Sequence, residues 1–241
     1  YWQCVDPVYC YVEAGTALHD FPIPDMLHDN TGDHISEKNE TFCELTVLYW
    51  AWKNLNVSCL GLCHYRRFFA GKRFGGRRGR IITREELDRI LETADAILPQ
   101  KRRYWIETNY TQYIHAHHRE DLDMTRRILE DVYPEYIPAF DRSMAQTFGH
   151  RFNMFIMKKN LLDKYCTWLF DVLFRLEAVL DISQYNTKDR RVFGYVAERL
   201  MDVWLDTNQI SYQELPVVNL ERQNWIKKGT AFLLRKFHTN G

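Results

Sequence analysis

Val57-Ser-Cys-Leu-Gly-Leu-Cys-His64-Tyr-Arg-Arg67-Phe-Phe69 begins as a short apolar run and turns polar at a histidine and two arginines. A run of this length bounded by polar residues reads as a buried strand, Val57–Cys63. The pattern returns at Ala94–Leu98, after a stretch that Thr83 and Glu86 open as a helix: a threonine with a glutamate three positions later satisfies two free N–H groups reciprocally. The local order is strand, helix, strand. Upstream, Leu45, Leu48, Trp52 and Leu55 recur at helical spacing within Asn39–Asn54, and Thr41 with Glu44 makes a second candidate capping box. Downstream, Arg119–Glu130 reads as a helix, Phe152–Met157 as a buried strand, and Leu161–Leu180 as a long helix capped by Asn160. Arg190–Leu205 and Leu220–Phe237 read as further helices. This alternation predicts an α/β fold, a single domain over residues 1–241 with a central, mostly parallel sheet flanked by helices and an amphipathic C-terminal helix at 221–237. Ligands of such sheets bind beyond the carboxyl ends of the strands, so the residues closing each apolar run matter most.

A chain of 241 residues with 46% hydrophobic content can bury one large core. Lysine plus arginine and aspartate plus glutamate stand at 32 each, which argues against a general attraction to nucleic acid or anionic lipid. No nucleic-acid partner is expected, although Lys72–Arg80 and Lys101–Arg103 are basic and Tyr104 and Trp105 offer stacking surfaces. The six cysteines, Cys4, Cys10, Cys43, Cys59, Cys63 and Cys166, lie in apolar neighbourhoods without metal-ligand spacing and read as reduced core thiols. No run of 18 apolar residues and no basic-then-apolar leader occurs, so a soluble, cytoplasmic protein is expected.

Four segments carry polar chemistry. His64, Arg66 and Arg67 close the first strand, where paired guanidinium groups suit phosphate oxygens. His28–Asn39 is a long polar loop broken only by Ile35. His115, His117 and His118 approach Glu120, Asp121 and Asp123 in sequence, but their spacing fits no usual zinc site, and Glu120 and Asp121 also suit the first turn of a helix. His150 and Asn153 precede the Phe152–Met157 run, where an asparagine can bond a sugar hydroxyl or a backbone group.

Taken in order, Asp29–Asn39, Cys43–Asn54, Gly61–Phe69, Gly149–Lys158 and Arg191–Leu200 resemble the bacterial capsular and exopolysaccharide-biosynthesis glycosyltransferase family, long catalogued as a domain of unknown function. The resemblance implies a GT-A-like domain that moves a sugar from a nucleotide-sugar donor, such as a UDP-sugar, to a lipid-linked or growing polysaccharide acceptor. Family members begin with a short apolar strand that has no counterpart before Tyr1. Many GT-A enzymes hold a divalent metal, magnesium or manganese, on two aspartates after the strand matching Leu60–Cys63. This chain places His64, Arg66 and Arg67 there, so fixed cations are expected to neutralise the leaving diphosphate and no metal is assigned as required. On this resemblance Asp29, Asn30, Asp33 and Glu44 join His64, Arg66 and Arg67 on the donor side, and His150 and Asn153 face sugar or acceptor. Asp121, with Glu120 second, is the candidate base. The basic amphipathic stretch 224–237 is a candidate for peripheral contact with the inner face of the membrane. A catalytically silent carbohydrate-binding subunit is the rival reading.

Overall fold

The computed structural model describes residues 3–72 and 74–221. The chain forms in turn β1 (Val12–Glu13), β2 (Leu27–His28), α1 (Asn39–Phe42), α2 (Leu45–Asn54), β3 (Cys59–Leu62), β4 (Arg67–Phe69), α3 (Arg84–Leu91), β5 (Ala96–Pro99) and β6 (Arg102–Arg103). There follow α4 (Asn109–Ile114), α5 (Arg119–Val132), α6 (Ile137–Ala145), β7 (Phe148–Gly149), β8 (Phe155–Lys158), α7 (Lys159–Val179), α8 (Val192–Thr207), β9 (Tyr212–Leu215) and β10 (Val217–Asn219). The largest sheet among the described residues has four strands in the order β3-β8-β5-β9. β8 opposes both neighbours while β5 and β9 run in parallel, so three strands share one direction and the reversed strand sits between two of them.

Side-chain alternation along the strands assigns the two faces. Ala96 and Leu98 of β5, with Phe155 and Met157 of β8, join the main core built on α2 and α5 to α8. Ile97, between them, belongs to a smaller cluster with Phe69, Ile82, Leu87 and Met154 on the other face. The sheet is therefore a filling between two layers. α7 and α8 supply half of the main core, including the fully buried Tyr165, Phe170, Phe193 and Trp204, each worth roughly 1.5–3 kcal/mol of apolar burial.

Several local expectations meet tertiary competition. The Thr83–Glu86 capping box forms, Glu86 accepting the Thr83 N–H at 3.1 Å. The Thr41–Glu44 box does not: the helix breaks at Cys43, whose φ of 54° is left-handed, and the Thr41 hydroxyl donates instead to the Lys38 carbonyl. Asn160 is no cap, because β8 runs directly into α7 and the Lys159 N–H donates to the Ser58 carbonyl at 2.9 Å. The strand expected from Phe152 starts only at Phe155, since Phe152 and Asn153 both take positive φ. Cys166 is a buried thiol as expected, whereas Cys10 is exposed. Leu220 and Glu221 follow β10 without helical structure, and the remainder of the helix expected at 221–237 lies outside the described residues.

Candidate active site

β3 and β5 end at Leu62 and Pro99, and reversed β8 begins beside Leu62, which pairs with Phe155. The carboxyl end of β3 and the entry to β8 therefore share one edge of the sheet. Phe152 joins the groups gathered there. Its N–H donates to Glu198 Oε1 at 3.1 Å, its carbonyl oxygen accepts from His64 Nε2 at 2.5 Å, and the Arg67 guanidinium lies 4.5 Å over its ring. The carbonyl acceptor requires the proton on His64 Nε2. Asn153 follows with its side-chain amide donating to Glu44 Oε1 at 2.7 Å and to the Gly194 carbonyl at 3.0 Å. Phe152 and Asn153 have φ of 80° and 50°. Two consecutive left-handed non-glycine residues cost of order 1–3 kcal/mol each and persist only where the surroundings over-determine them.

α8 closes the site. Arg191, Tyr195 and Glu198 follow the i, i+4, i+7 spacing of one helical face. Arg191 Nε donates to Cys43 Sγ at 3.1 Å and its guanidinium lies 5.6 Å from the Tyr195 ring centre. Burial raises the Glu198 carboxyl above the ordinary glutamate value; Arg199 opposes this and Glu44 reinforces it. Arg199 is 5% exposed and donates from Nη2 to Gln112. Its Nε and Nη1 are buried without a hydrogen-bond partner, and Nη1 stands 3.9 Å from Glu198 Oε2. Burial, with Arg151 nearby, lowers its hold on its proton. Glu198 and Arg199 lie inside the Arg191–Leu200 stretch, but their roles were not legible there. A Glu-Arg pair in an otherwise apolar helix interior was the available signal.

His150 is 2% exposed, with Nδ1 2.5 Å from Asp202 and Nε2 3.3 Å from Glu214. Arg151 beside it bonds Tyr104, Asn109 and the His150 carbonyl. A Cβ on Gly149 would come within 2.6 Å of the side-chain tips of both Arg151 and Asp202, so a larger residue there would have to displace them. Beyond the end of β5 opens a hollow of about 490 Å³ lined by Gln100, Lys101, Arg103, Phe148 and Glu214.

Not every residue assigned from the sequence reaches this edge. Asp29 is fully buried, accepting from the Gly15 and Thr16 N–H groups and from the Ser36 and Thr46 hydroxyls at 2.5–3.0 Å. It staples the polar loop from inside and presents no carboxylate to a ligand. Burial alone would raise its pKa, but these four donors outweigh burial and hold it below 3.8. Asn30 and Asp33 are exposed, and Asn54 braces the Asp33 backbone from both sides at 3.1 and 2.8 Å. Arg66 is committed to Glu221, with Nε and Nη1 at 2.9 and 3.0 Å from its two oxygens. β3, which precedes these arginines, is an edge strand of the sheet rather than a central one.

Asp121 is 1% exposed, and the Tyr113 and Tyr185 hydroxyls donate to its two oxygens at 2.7 Å each. That arrangement corrects its assignment as base: both oxygens face tyrosines rather than a cleft. Glu120 is exposed on the first turn of α5. His117 and His118 converge on Asp189 at 3.0 and 3.6 Å, and His115 pairs with Glu107 at 2.6 Å. Among the described residues no group of three or more His, Cys, Asp or Glu is placed to hold a metal ion.

A mixed sheet with one reversed strand, covered on both faces and carrying a polar cleft at its carboxyl edge, is a GT-A-like α/β domain. The chain belongs to the family described as domain of unknown function DUF4422, whose model matches residues 1–209. Among solved structures it is similar to "WbbM bifunctional glycosytransferase apo structure", with a TM-score of 0.83 and 28% identity over 90% of this chain and 43% of that one. The chain thus spans less than half the length of that structure. A search of curated proteins finds no significant match. No helix among the described residues is long and apolar enough to cross a membrane.

Proposed function

We propose that this chain is a glycosyltransferase that uses a nucleotide-sugar donor, a UDP-sugar in the first instance, and a lipid-linked or growing polysaccharide as acceptor. The likeness over nine-tenths of the chain to part of a bifunctional glycosyltransferase carries this reading. The site supports it chemically. His64 and Arg67 converge on Phe152 at the sheet edge where donors of α/β enzymes bind, and a guanidinium there offsets charge developing on a departing diphosphate. No required divalent metal belongs to the proposal, because the residues following β3 are cationic rather than acidic. Activity is expected to survive chelation; complete loss with a chelator and rescue by manganese would overturn that part. Peripheral membrane contact through 224–237 is also proposed.

The test is a panel of nucleotide sugars read first by thermal stabilisation, then by release of nucleoside diphosphate with an oligosaccharide acceptor. A ligand that binds only the folded state raises its stability by mass action. Stabilisation by one donor and its turnover are expected. Silence across the panel, with steeply salt-dependent RNA binding instead, would remove the transferase reading.

A further inference from the structure

Two carboxylates flank the strained Phe152–Asn153 turn. Glu44 is tied to Asn153, and Glu198 is tied through one oxygen to the Phe152 N–H. The same Phe152 carries His64 on its carbonyl and Arg67 on its ring, so one residue orients Glu198 and the cations assigned to the donor phosphate. We propose that Glu198 is the general base of the transfer, accepting the proton of the acceptor hydroxyl. This rests on the transferase reading above. In the step, the acceptor O–H bond breaks and its proton passes to Glu198. The oxygen's electron pair forms the bond to the anomeric carbon. The bond from that carbon to the donor phosphate breaks, its electron pair leaving with the nucleoside diphosphate. One displacement inverts the anomeric configuration.

Two observations favour Glu198 over Asp121, and a third suits it to the role. Its side chain keeps 23% of its surface exposed, whereas Asp121 has 1% exposure and both oxygens engaged. Its second oxygen is 3.9 Å from Arg199 Nη1, too far for a hydrogen bond, although that nitrogen and Nε are buried and without a hydrogen-bond partner. A structural ion pair at this depth would be expected to close, because an unmade bond to a buried charged group costs more than about 1–3 kcal/mol. The open arrangement holds the carboxylate by charge and leaves a lone pair for a substrate proton. The third observation is basicity. Burial raises the carboxyl, Glu44 adds to the rise, and Arg199 and Arg151 oppose it, with Cys43 and Tyr195 also nearby. A carboxylate tuned upward is the better acceptor near neutral pH.

The experiment compares the full chain with Glu198→Gln and Glu198→Asp under the best donor and acceptor, with product configuration read by NMR. Glu198→Gln is expected to lose about a hundredfold or more in kcat, with donor KM changed only a few-fold and the acidic limb of the pH profile abolished. Glu198→Asp keeps the charge and is expected to recover part of the rate, which separates a lost base from a lost fold. Retention of configuration, or a Glu198→Gln rate within tenfold of the parent, would overturn the assignment. If the parent chain turns over no donor at all, the transferase reading falls and takes the base with it; a transferring parent beside an unaffected Glu198→Gln removes the base alone.

Discussion

The Asn153 amide reaches Glu44 Oε1 at 2.7 Å across 109 positions of chain, and the same nitrogen donates to the Gly194 carbonyl at 3.0 Å. Asn153 therefore locks the break between α1 and α2 to α8. Asparagine also tolerates its φ of 50° better than most residues. Replacement by alanine is expected to cost about 2–3 kcal/mol, the upper range for a hydrogen bond to a charged group. Asn153→Asp should cost more, since it turns an acceptor toward Glu44 and a carbonyl. Urea denaturation of both variants checks the order, and an aspartate variant more stable than the alanine one would contradict it.

Asp29 makes a pH prediction. Its folded pKa is depressed below 3.8, so its contribution is present above that value and is lost as pH falls through the lower, native one. Asp29→Ala leaves four donors without their acceptor and is expected to cost at least about 3 kcal/mol at neutral pH. The parent should lose stability more steeply than Asp29→Asn below pH 3.8. Parallel acid-denaturation curves would show that the loop is not held by this charge.

For Asp121 the expectation is structural. Burial raises its carboxyl while Tyr185 and Tyr113 hold it down, so its ionised form is costly without them. Tyr113→Phe and Tyr185→Phe should each destabilise by about 1.5–3 kcal/mol, the range for a hydrogen bond to a charged group. Asp121→Asn is expected to keep donor turnover within about tenfold, short of the hundredfold or greater loss that removing a general base brings. A loss of that larger size in a folded Asp121→Asn variant would return the residue to catalysis.

Arg66 and Arg67 are adjacent but should behave differently. Arg67 lies over Phe152, and Arg67→Ala is expected to weaken donor binding by about 1.5–3 kcal/mol. Arg66 is 46% exposed and paired with Glu221, and exposed pairs of this kind contribute about 0–1 kcal/mol. Titration calorimetry with uridine diphosphate separates the two; equal losses would mean that Arg66 leaves Glu221 to meet the ligand.

Periodicity and punctuation alone determined the class. Apolar runs closing in polar residues marked β3 and β5, helical spacing marked α2, α5, α7 and α8, and the Thr83–Glu86 pair marked the start of α3, because each signal lies within a few residues of chain. The sequence also placed His64, Arg67 and Asn153 next to strand ends, and the fold brings them to one edge of the sheet. Tertiary structure decided what those residues meet. Asp29, assigned to the donor, is spent on Gly15, Thr16, Ser36 and Thr46, and Asp121, assigned as base, on Tyr113 and Tyr185. Glu198, which no spacing singled out, reaches the site because β8 enters in reverse and turns Phe152 toward α8. A carboxylate reads the same in sequence whether its lone pairs are filled or open. The donors that fill them come from distant segments, and only packing brings those segments together.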